Sequence, residues 1–181
     1  MKKFELTNEF ITNMFGTKLF RIRALVEFGD VEAGELGGYV EKESNLGHDD
    51  NAWVYDNAWV YGDAQVSGDA LVYGNARVYG NALVCGDARV CGNGDYAYAH
   101  GFGSVNRTTT FFRLKDGGVG VRCGCFYGTL AQFRDKIRET HGESAIAEEY
   151  LDLAALMEKR FRRTGTEDRR RKLRRMFITQ N

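Results

Sequence analysis

Five hydroxyl and guanidinium side chains in the second half of the chain have the chemistry of an anion site. They are Ser104, Arg107, Thr108, Thr109 and Arg122. Hydroxyl groups and planar guanidinium groups bind phosphate and carboxylate, and the glycines beside them let the backbone approach a ligand. We therefore treat all five as candidate ligand-binding residues. The alternative is a solvated loop and strand that bind nothing.

Two thiols and one imidazole form a weaker candidate site. Cys123 and Cys125 are two apart in a predicted strand, so both thiols are expected on one face, and His141 falls at a predicted helix end. A structural zinc site needs four ligands, commonly from Cys-x-x-Cys pairs. A Cys–His nucleophilic pair would also need an orienting residue and an oxyanion hole, and neither can be named. A core-facing hairpin with a structural histidine is favoured, with no metal, cofactor or catalytic residue.

The element that must position these residues is a six-residue repeat from Asn51 to Asn93. Each unit has Ala, Val two residues later, and then Gly followed by Asn or Asp, with Asp56 standing once in place of Gly. Ala and Val point to one face of a strand, and the Gly-Asn or Gly-Asp pair permits a sharp turn. Three such sides make a coil of about 18 residues whose strands pair in parallel with those one coil later. Stacked hairpins would need longer strands than these.

The repeated unit Ala-x-Val-Tyr-Gly-Asn/Asp resembles the hexapeptide repeat of left-handed parallel β-helix proteins. That resemblance implies a left-handed coil and, as in many members, a homotrimer. The flanking sequence is similar to hexapeptide-repeat proteins of bacteriophages and prophages, and the likeness covers roughly residues 20 to 155. It is carried by Gly29-Asp30, Gly37-Gly38-Tyr39-Val40, Trp53-Val54-Tyr55, Gly103-Ser104, Arg107, Thr109-Thr110-Phe111, Val121-Arg122-Cys123-Gly124-Cys125-Phe126, Gly128-Thr129-Leu130 and Thr140-His141-Gly142.

Outward side chains of the coil should sort onto three sides, two of them aromatic. One aromatic side carries Trp53 with a tyrosine column, and the second carries Tyr61 and Tyr79 beside Arg77. At least one aromatic ladder is expected to be covered by another subunit or by the rest of the chain. The alternative is a stacking platform for a ring-shaped ligand, which makes Tyr61 and Tyr79 candidate ligand-binding residues.

The predicted fold is mainly β, a short left-handed parallel β-helix of about seven hexapeptides between two caps. Residues 1–50 form an N-terminal strand and cap module, 51–93 the β-helix, 94–163 an α+β module of one β-hairpin and two helices, and 164–181 a basic tail. In the first module, Thr17–Val26 is predicted to be a strand that buries Phe20, Ile22, Ala24 and Val26.

The α+β module should begin with a loop over residues 94–103. Strands are predicted at Thr108–Phe112 and Val119–Phe126, on either side of a glycine turn. A capping box from Thr129 to Gln132 should open a helix that stops at Gly142, and a second helix should run from about Ser144 to Arg163.

Charge is distributed unevenly although the formal net charge is zero. Residues 1–100 hold 8 Lys and Arg against 15 Asp and Glu, a net charge of −7, whereas residues 159–181 hold 10 against 2, a net charge of +8. The basic tail is predicted to be a solvated terminus or an intrachain clamp on the acidic body. The alternative is nucleic-acid binding through phosphates. Its basic residues are Arg169, Arg170, Arg171, Lys172, Arg174 and Arg175.

Cysteine usage and the N-terminal residues favour a cytoplasmic protein of the bacterial host. Four cysteines occur without a secretory signal, and no apolar run is long enough to span a bilayer. A reducing compartment fits this composition.

The favoured function is non-enzymatic binding by a phage-type oligomer. A nucleotide-like anionic ligand of host defence would suit rings and arginines at a subunit boundary, and its capture would be an anti-defence role. The runner-up is a hexapeptide-repeat acyltransferase, whose family resemblance implies a histidine general base. His48 and His100 flank the coil, but no histidine lies within it. The third class is a structural scaffold or a nucleic-acid-binding protein.

Overall fold

A computed structural model of the protein describes residues 2–103 and 105–178, with side chains as far as residue 164. The N-terminal region contains strands β1 (Phe4–Thr12), β2 (Lys18–Ala24) and β3 (Leu36–Val40). β1 and β2 pair antiparallel, as do β2 and β3. β3 then pairs in parallel with the coil, with Tyr39 opposite Trp59. The N-terminal strands are therefore continuous with one side of the coil.

The predicted strand at Thr17–Val26 is present, but one part of its buried face was wrong. Ile22 and Ala24 are buried as predicted, whereas Leu19 is fully buried and Phe20 is only half-buried. The pairing of β2 with β3 shifts register between Arg21 and Arg23. This irregularity interrupts strict alternation, so residues on its two sides do not follow one pattern.

In the described residues, seven two-residue strands recur every six residues along the repeat. They form three sets of parallel neighbours, and each of the first four strands pairs with the strand 18 residues later. The alanines and valines of the repeat are fully buried. Parallel strands within a mainly β chain are thus confirmed. The strands are β4 (Trp53–Val54), β5 (Trp59–Val60), β6 (Gln65–Val66), β7 (Leu71–Val72), β8 (Arg77–Val78), β9 (Leu83–Val84) and β10 (Arg89–Val90).

The corners explain why glycine closes most units. Gly62, Gly68, Gly74, Gly80 and Gly86 have φ between 60° and 69°. Asp56 takes the same left-handed conformation, with φ of 52°. This region is open to glycine and, less readily, to Asn and Asp.

Four strands follow the coil in an antiparallel sheet, in chain order. They are β11 (Tyr96–Phe102), β12 (Arg107–Arg113), β13 (Val119–Cys123) and β14 (Phe126–Thr129). The expected loop over residues 94–103 is wrong, because β11 occupies most of it. The predicted return strand is also divided, because Gly124 and Cys125 form a two-residue turn with Gly124 at φ 58°. The predicted single hairpin is therefore a larger sheet.

Two helices complete the described chain, as predicted. Helix α1 (Leu130–His141) has the expected capping box, in which Thr129 Oγ1 accepts from Gln132 N at 3.3 Å and Gln132 Oε1 accepts from Thr129 N at 2.8 Å. Helix α2 (Ala145–Ile178) continues past Arg163, the predicted end. Within the described residues, neither helix is both long enough and apolar enough to cross a membrane.

The sheet separates two apolar cores. Phe111 and Val121 on one face pack with α1 and α2, against residues such as Phe133 and Tyr150. Phe112, on the opposite face, packs with the coil. Side chains that alternate along β12 thus enter different cores.

At both ends of the coil, side chains form hydrogen bonds with backbone groups of the terminal coils. At the residues that flank each two-residue ladder, N–H groups of the earlier coil donate to carbonyls of the later coil, as Trp53 N does to Ala70 O at 3.1 Å. At these positions the first coil leaves carbonyls without a partner from a preceding coil. Lys3 Nζ donates to Ala52 O at 2.9 Å, and Asn45 Nδ2 donates to Ala64 O at 2.8 Å.

At the corresponding positions the last coil leaves N–H groups, and side-chain acceptors meet them. Thr110 Oγ1 accepts from Leu83 N at 2.9 Å. Asn93 Oδ1 accepts from Arg77 N at 2.9 Å, and Asp95 Oδ2 accepts from Cys91 N at 3.1 Å. One such bond lies on each of the three sides.

Candidate functional site

The predicted anion-site residues do not lie together on one face of the sheet. Thr109 pairs with Cys123 and Thr110 pairs with Arg122, so alternation puts Arg107 and Thr109 on the helix-facing side. Thr108 and Arg122 lie on the coil-facing side. Ser104 lies outside the described residues. The two arginines are therefore separated by the thickness of the sheet.

Contacts of these residues are mostly internal to the protein. Thr109 is fully buried and its hydroxyl donates to Cys123 Sγ at 3.2 Å. The Thr108 hydroxyl lies 2.8 Å from His100 Nδ1. Arg122 lies near Cys85, where burial raises the pKa of the thiol and the guanidinium acts in the opposite direction. Arg107 is exposed on the helix-facing side, whereas Thr108 and Arg122 are half-buried on the coil-facing side.

The thiols and the histidine do not form a ligand cluster. Cys123 ends β13 and Cys125 lies in the following turn, so the expectation that both thiols share one strand face was wrong. His141 stacks on the Tyr150 ring at 6.0 Å between centroids. Burial raises the pKa of the Tyr150 hydroxyl to about 12, and nearby Cys123 adds to that rise. Within the described residues, no group of three or more His, Cys, Asp or Glu side chains is placed to hold a metal ion.

Tyr61 and Tyr79 form an outward stack on the second side of the coil. They occupy equivalent positions of successive coils, and their rings lie 5.3 Å apart with an interplanar angle of 16°. Tyr98 of β11 meets Tyr79 edge-on, with centroids 6.5 Å apart. We call these three residues the tyrosine face. Tyr79 is 44% exposed, so its ring remains available to a further aromatic partner.

Backbone geometry fixes this face in place. The Tyr98 hydroxyl lies directly over Gly80, and a Cβ atom on residue 80 would overlap that hydroxyl. Gly80 also has a φ of 68°, which favours glycine. Tyr96 is buried beneath and donates from its hydroxyl to Arg77 O at 2.7 Å. Burial raises the pKa of Tyr96, and it also raises the pKa of Tyr61 despite the opposing effect of Arg77. The phenols of Tyr96 and Tyr61 are therefore neutral near pH 7.

Two arginines flank the tyrosine face. The Arg77 side chain is exposed, and its guanidinium carbon lies 4.2 Å from the centroid of the Trp59 ring. Arg160 of α2 donates from Nη2 to Asn93 O at 3.2 Å and Tyr96 O at 3.4 Å. Its buried Nε has no hydrogen-bond partner among the described residues. Positive charge thus adjoins exposed aromatic surface.

An open cavity of about 290 Å³ lies at the upper end of this face. This volume is close to the lower end of the range for small-molecule sites. The cavity is lined by Tyr79, Asn93, Tyr96, Ala97, Tyr98 and Arg160.

Tyr61 and Tyr79 were candidates from the sequence, whereas Tyr98 and Arg160 were not. Tyr98 fell in the expected loop, although the alternation of tyrosine and alanine over residues 96–99 is typical of a strand. Arg160 reaches the site because α2 docks on the end of the coil. No short-range pattern reports such a long-range contact.

The three histidines have contacts of their own. His48 stacks on Phe4 at 4.5 Å, accepts from Lys3 N at 3.2 Å and pairs with Glu43 at 2.9 Å. His100 and His141 lie in the C-terminal module, beside Thr108 and Tyr150. His48 is therefore part of the packing at the N-terminal end.

The coil defines a repeat β-solenoid architecture, and comparison with known families supports that class. A family model described as the YdcK beta solenoid repeat matches residues 64–80 and 76–92. The match lies within the repeat and covers much less than half of the chain. No curated protein matches this chain.

Proposed function

We propose that the protein is a non-enzymatic, phage-type oligomeric binding protein that captures a small anionic, nucleotide-like ligand. In this proposal the coil is left-handed and built from hexapeptides, and three copies assemble as in many proteins that the repeat resembles. The ligand lies on the tyrosine face at a subunit boundary. By binding the ligand, the protein would remove a nucleotide signal of host defence.

The stacked pair Tyr61 and Tyr79 is the observation that carries this proposal. A ring ligand can extend such a stack, because aromatic surfaces prefer parallel offset or edge-on contacts. Stacking of one base on an aromatic side chain contributes about 1 to 3 kcal/mol. The exposed face of Tyr79 is thus evidence that one half of the ligand is a nucleobase.

Two arginines near the tyrosine face support binding of the anionic half of the ligand. Arg77 and Arg160 both adjoin the tyrosine face, and guanidinium groups bind phosphate through paired N–H donors. Arg160 also lines the cavity at the end of this face. The sequence alone predicts this role for Arg107 and Arg122, but these two residues lie on opposite faces of the sheet.

A neighbouring subunit would supply the second wall of the site. The cavity is small and open, whereas typical sites bury most of a drug-sized ligand. A second copy packed against the coil would enclose the ligand and also cover exposed aromatic surface. Thr108 and Arg122 share a different part of the coil-facing surface, and they are secondary ligand candidates.

The test begins with native mass spectrometry of gently purified protein. A trimer carrying discrete extra mass is expected, and the mass identifies the retained molecule. Isothermal titration with a panel of mononucleotides and cyclic dinucleotides then gives the affinity. Tyr79→Ala and Arg77→Ala should each weaken binding by about tenfold or more, which corresponds to the loss of one stacking or charged contact.

Tyr73→Ala is the matched control, because Tyr73 has the same repeat position on another side of the coil. It should leave affinity unchanged. If Tyr79→Ala binds like the wild type, or if neither a retained ligand nor any nucleotide binding is found, the proposal fails. Retention of acyl-CoA would instead favour the acyltransferase alternative.

A further inference from the structure

A long groove crosses the first side of the coil, away from the tyrosine face. It consists of three adjoining cavities of about 540, 250 and 400 Å³. The first and second share Asp87 and Lys115, and the second and third share Tyr55, Leu71 and Arg89. The groove therefore runs without interruption from the start of α1, across the coil, to the corner at Asp56. We call it the acidic groove.

Five carboxylates line the acidic groove against two cations. The cations are Arg89 and Lys115, and Arg89 donates from Nη1 to the carbonyls of Asp69 and Ala88, each at 2.8 Å. None of the five carboxylates forms a salt bridge with any described residue. The carboxylates are Asp30, Asp56, Asp69, Asp87 and Asp116.

Some acidic residues elsewhere in the described chain do form salt bridges. Glu5 pairs with Arg23, Asp63 with Lys42 and Glu158 with Arg134. The floor of the groove is partly apolar, through Tyr55, Leu71 and Leu114. Negative rims over an apolar floor suit a segment with cationic side chains and apolar residues between them.

We propose that the acidic groove binds the basic C-terminal segment, residues 169–175, of a second copy of this chain. That segment holds Arg169, Arg170, Arg171, Lys172, Arg174 and Arg175, with Leu173 among them. It balances the excess of negative charge in the first hundred residues. The interaction gives cationic partners to carboxylates that form no salt bridge with the side chains described.

Helix continuity favours a second copy over the same chain. Arg113 Nη2 holds α2 at Phe161 O (2.8 Å) and Thr164 Oγ1 (3.1 Å). From there α2 continues as one helix to Ile178. At 1.5 Å per residue the remaining turns extend about 20 Å in line with the helix. A continuous helix cannot fold back onto its own chain, and this favours a neighbouring molecule as the partner of the basic segment.

A groove-to-segment contact is heterologous, since different surfaces of two copies meet. Such contacts close into a ring when the rotation between copies permits it. A three-membered ring would agree with the trimer proposed above. The groove contact does not depend on ligand capture at the tyrosine face.

Charge reversal in the full-length chain tests the groove. Asp30→Lys with Asp87→Lys reverses the groove at two exposed carboxylates that make no hydrogen bond within the described residues. Arg170→Glu with Arg171→Glu and Arg174→Glu reverses the segment. Analytical ultracentrifugation at low salt should show an associated wild type, and each reversed variant should need at least tenfold higher concentration to associate. High salt should weaken wild-type association.

Mixing the two reversed variants should restore association, because each then offers the partner that the other needs. Native mass spectrometry should detect complexes containing both chains. Glu143→Lys with Asp152→Lys changes charge equally at exposed sites outside the groove, and it should associate like the wild type.

Three results would overturn the proposal. One is a wild type that stays monomeric at low salt, and another is a groove variant that associates normally. The third is a segment variant that loses binding to a short DNA duplex while its association is unchanged, which would assign the segment to nucleic acid.

Discussion

The two ends of the coil present opposite hydrogen-bonding problems to the modules that cover them. At the residues that flank each two-residue ladder, N–H groups donate to the next coil, so at these positions the first coil leaves carbonyl oxygens and the last coil leaves N–H groups. Buried backbone groups without partners cost free energy, so each end needs side chains of the complementary kind. The direction of the coil therefore dictates which residues can cover each end.

The N-terminal end uses donors. Lys3 and Asn45 provide an ammonium and an amide to carbonyls of two different sides, and the third side is met by backbone, through Tyr39 N and Ala58 O at 2.9 Å. At the C-terminal end all three bonds go to acceptors, from Thr110, Asn93 and Asp95. One end thus depends on a buried ammonium and the other on a hydroxyl, an amide oxygen and a carboxylate.

The largest expected effect is at the N-terminal end, with Asn45→Leu. Asn45 is fully buried, and its amide donates to Gly62 O and Ala64 O while accepting from Lys42 N. Loss of these bonds leaves buried backbone groups unpaired and should cost about 3 to 4 kcal/mol of unfolding free energy. Urea denaturation followed by circular dichroism measures this change.

Asn57→Leu provides the control for that experiment, since Asn57 is exposed at a corner of the coil. It should change stability by less than about 0.5 kcal/mol. Equal losses for the two variants would show that Asn45 has no special role at this end.

A smaller effect is expected at the C-terminal end, with Thr110→Val. The substitution keeps the shape of the side chain but removes the oxygen that accepts from Leu83 N. One unsatisfied N–H should cost about 1 to 2 kcal/mol. Thr109→Val is the matched control, because Thr109 is equally buried but bonds only a thiol, a weak acceptor. A larger loss for Thr109→Val than for Thr110→Val, again by urea denaturation, would contradict this account of the C-terminal end.

Local patterns in the sequence predicted the coil and the start of α1. The six-residue spacing of Ala and Val specifies short strands with one buried face, and Thr129 with Gln132 specifies a helix start. Both depend on neighbours within a few residues. Lys3 and Asn45 were not recognised, because their partners lie 49 and 19 residues away.

The candidate site was less predictable than the fold for the same reason. Tyr61 and Tyr79 follow from the period of the coil, so their stacking could be anticipated. Arg107 and Arg122 were grouped by chemistry, but the register of β12 with β13 assigns them to opposite faces. Register depends on where the turns fall, and the Gly124 turn was hidden inside an apparently continuous strand.

The smallest predicted effect is a difference between the two ends of the coil in how stability depends on pH. It is expected because Lys3 carries a titratable group and Thr110 does not. Burial lowers the pKa of Lys3 to about 8, although Asp50, Asp49 and Asp69 act in the opposite direction. Between about pH 8 and the ordinary lysine pKa of about 10.5, the unfolded chain therefore binds more protons than the folded chain. The contribution of Lys3 to the free energy of unfolding rises with pH in that window, and it is lost as pH falls through 8. We expect the stability difference between wild type and Lys3→Met to rise by about 1 kcal/mol from about pH 7.5 to about pH 9.5. The difference between wild type and Thr110→Val should stay constant over the same range. A Lys3 difference that is flat or falls with pH would mean that the nearby carboxylates outweigh burial, and the N-terminal end would then be held by charge pairing instead of by a desolvated donor.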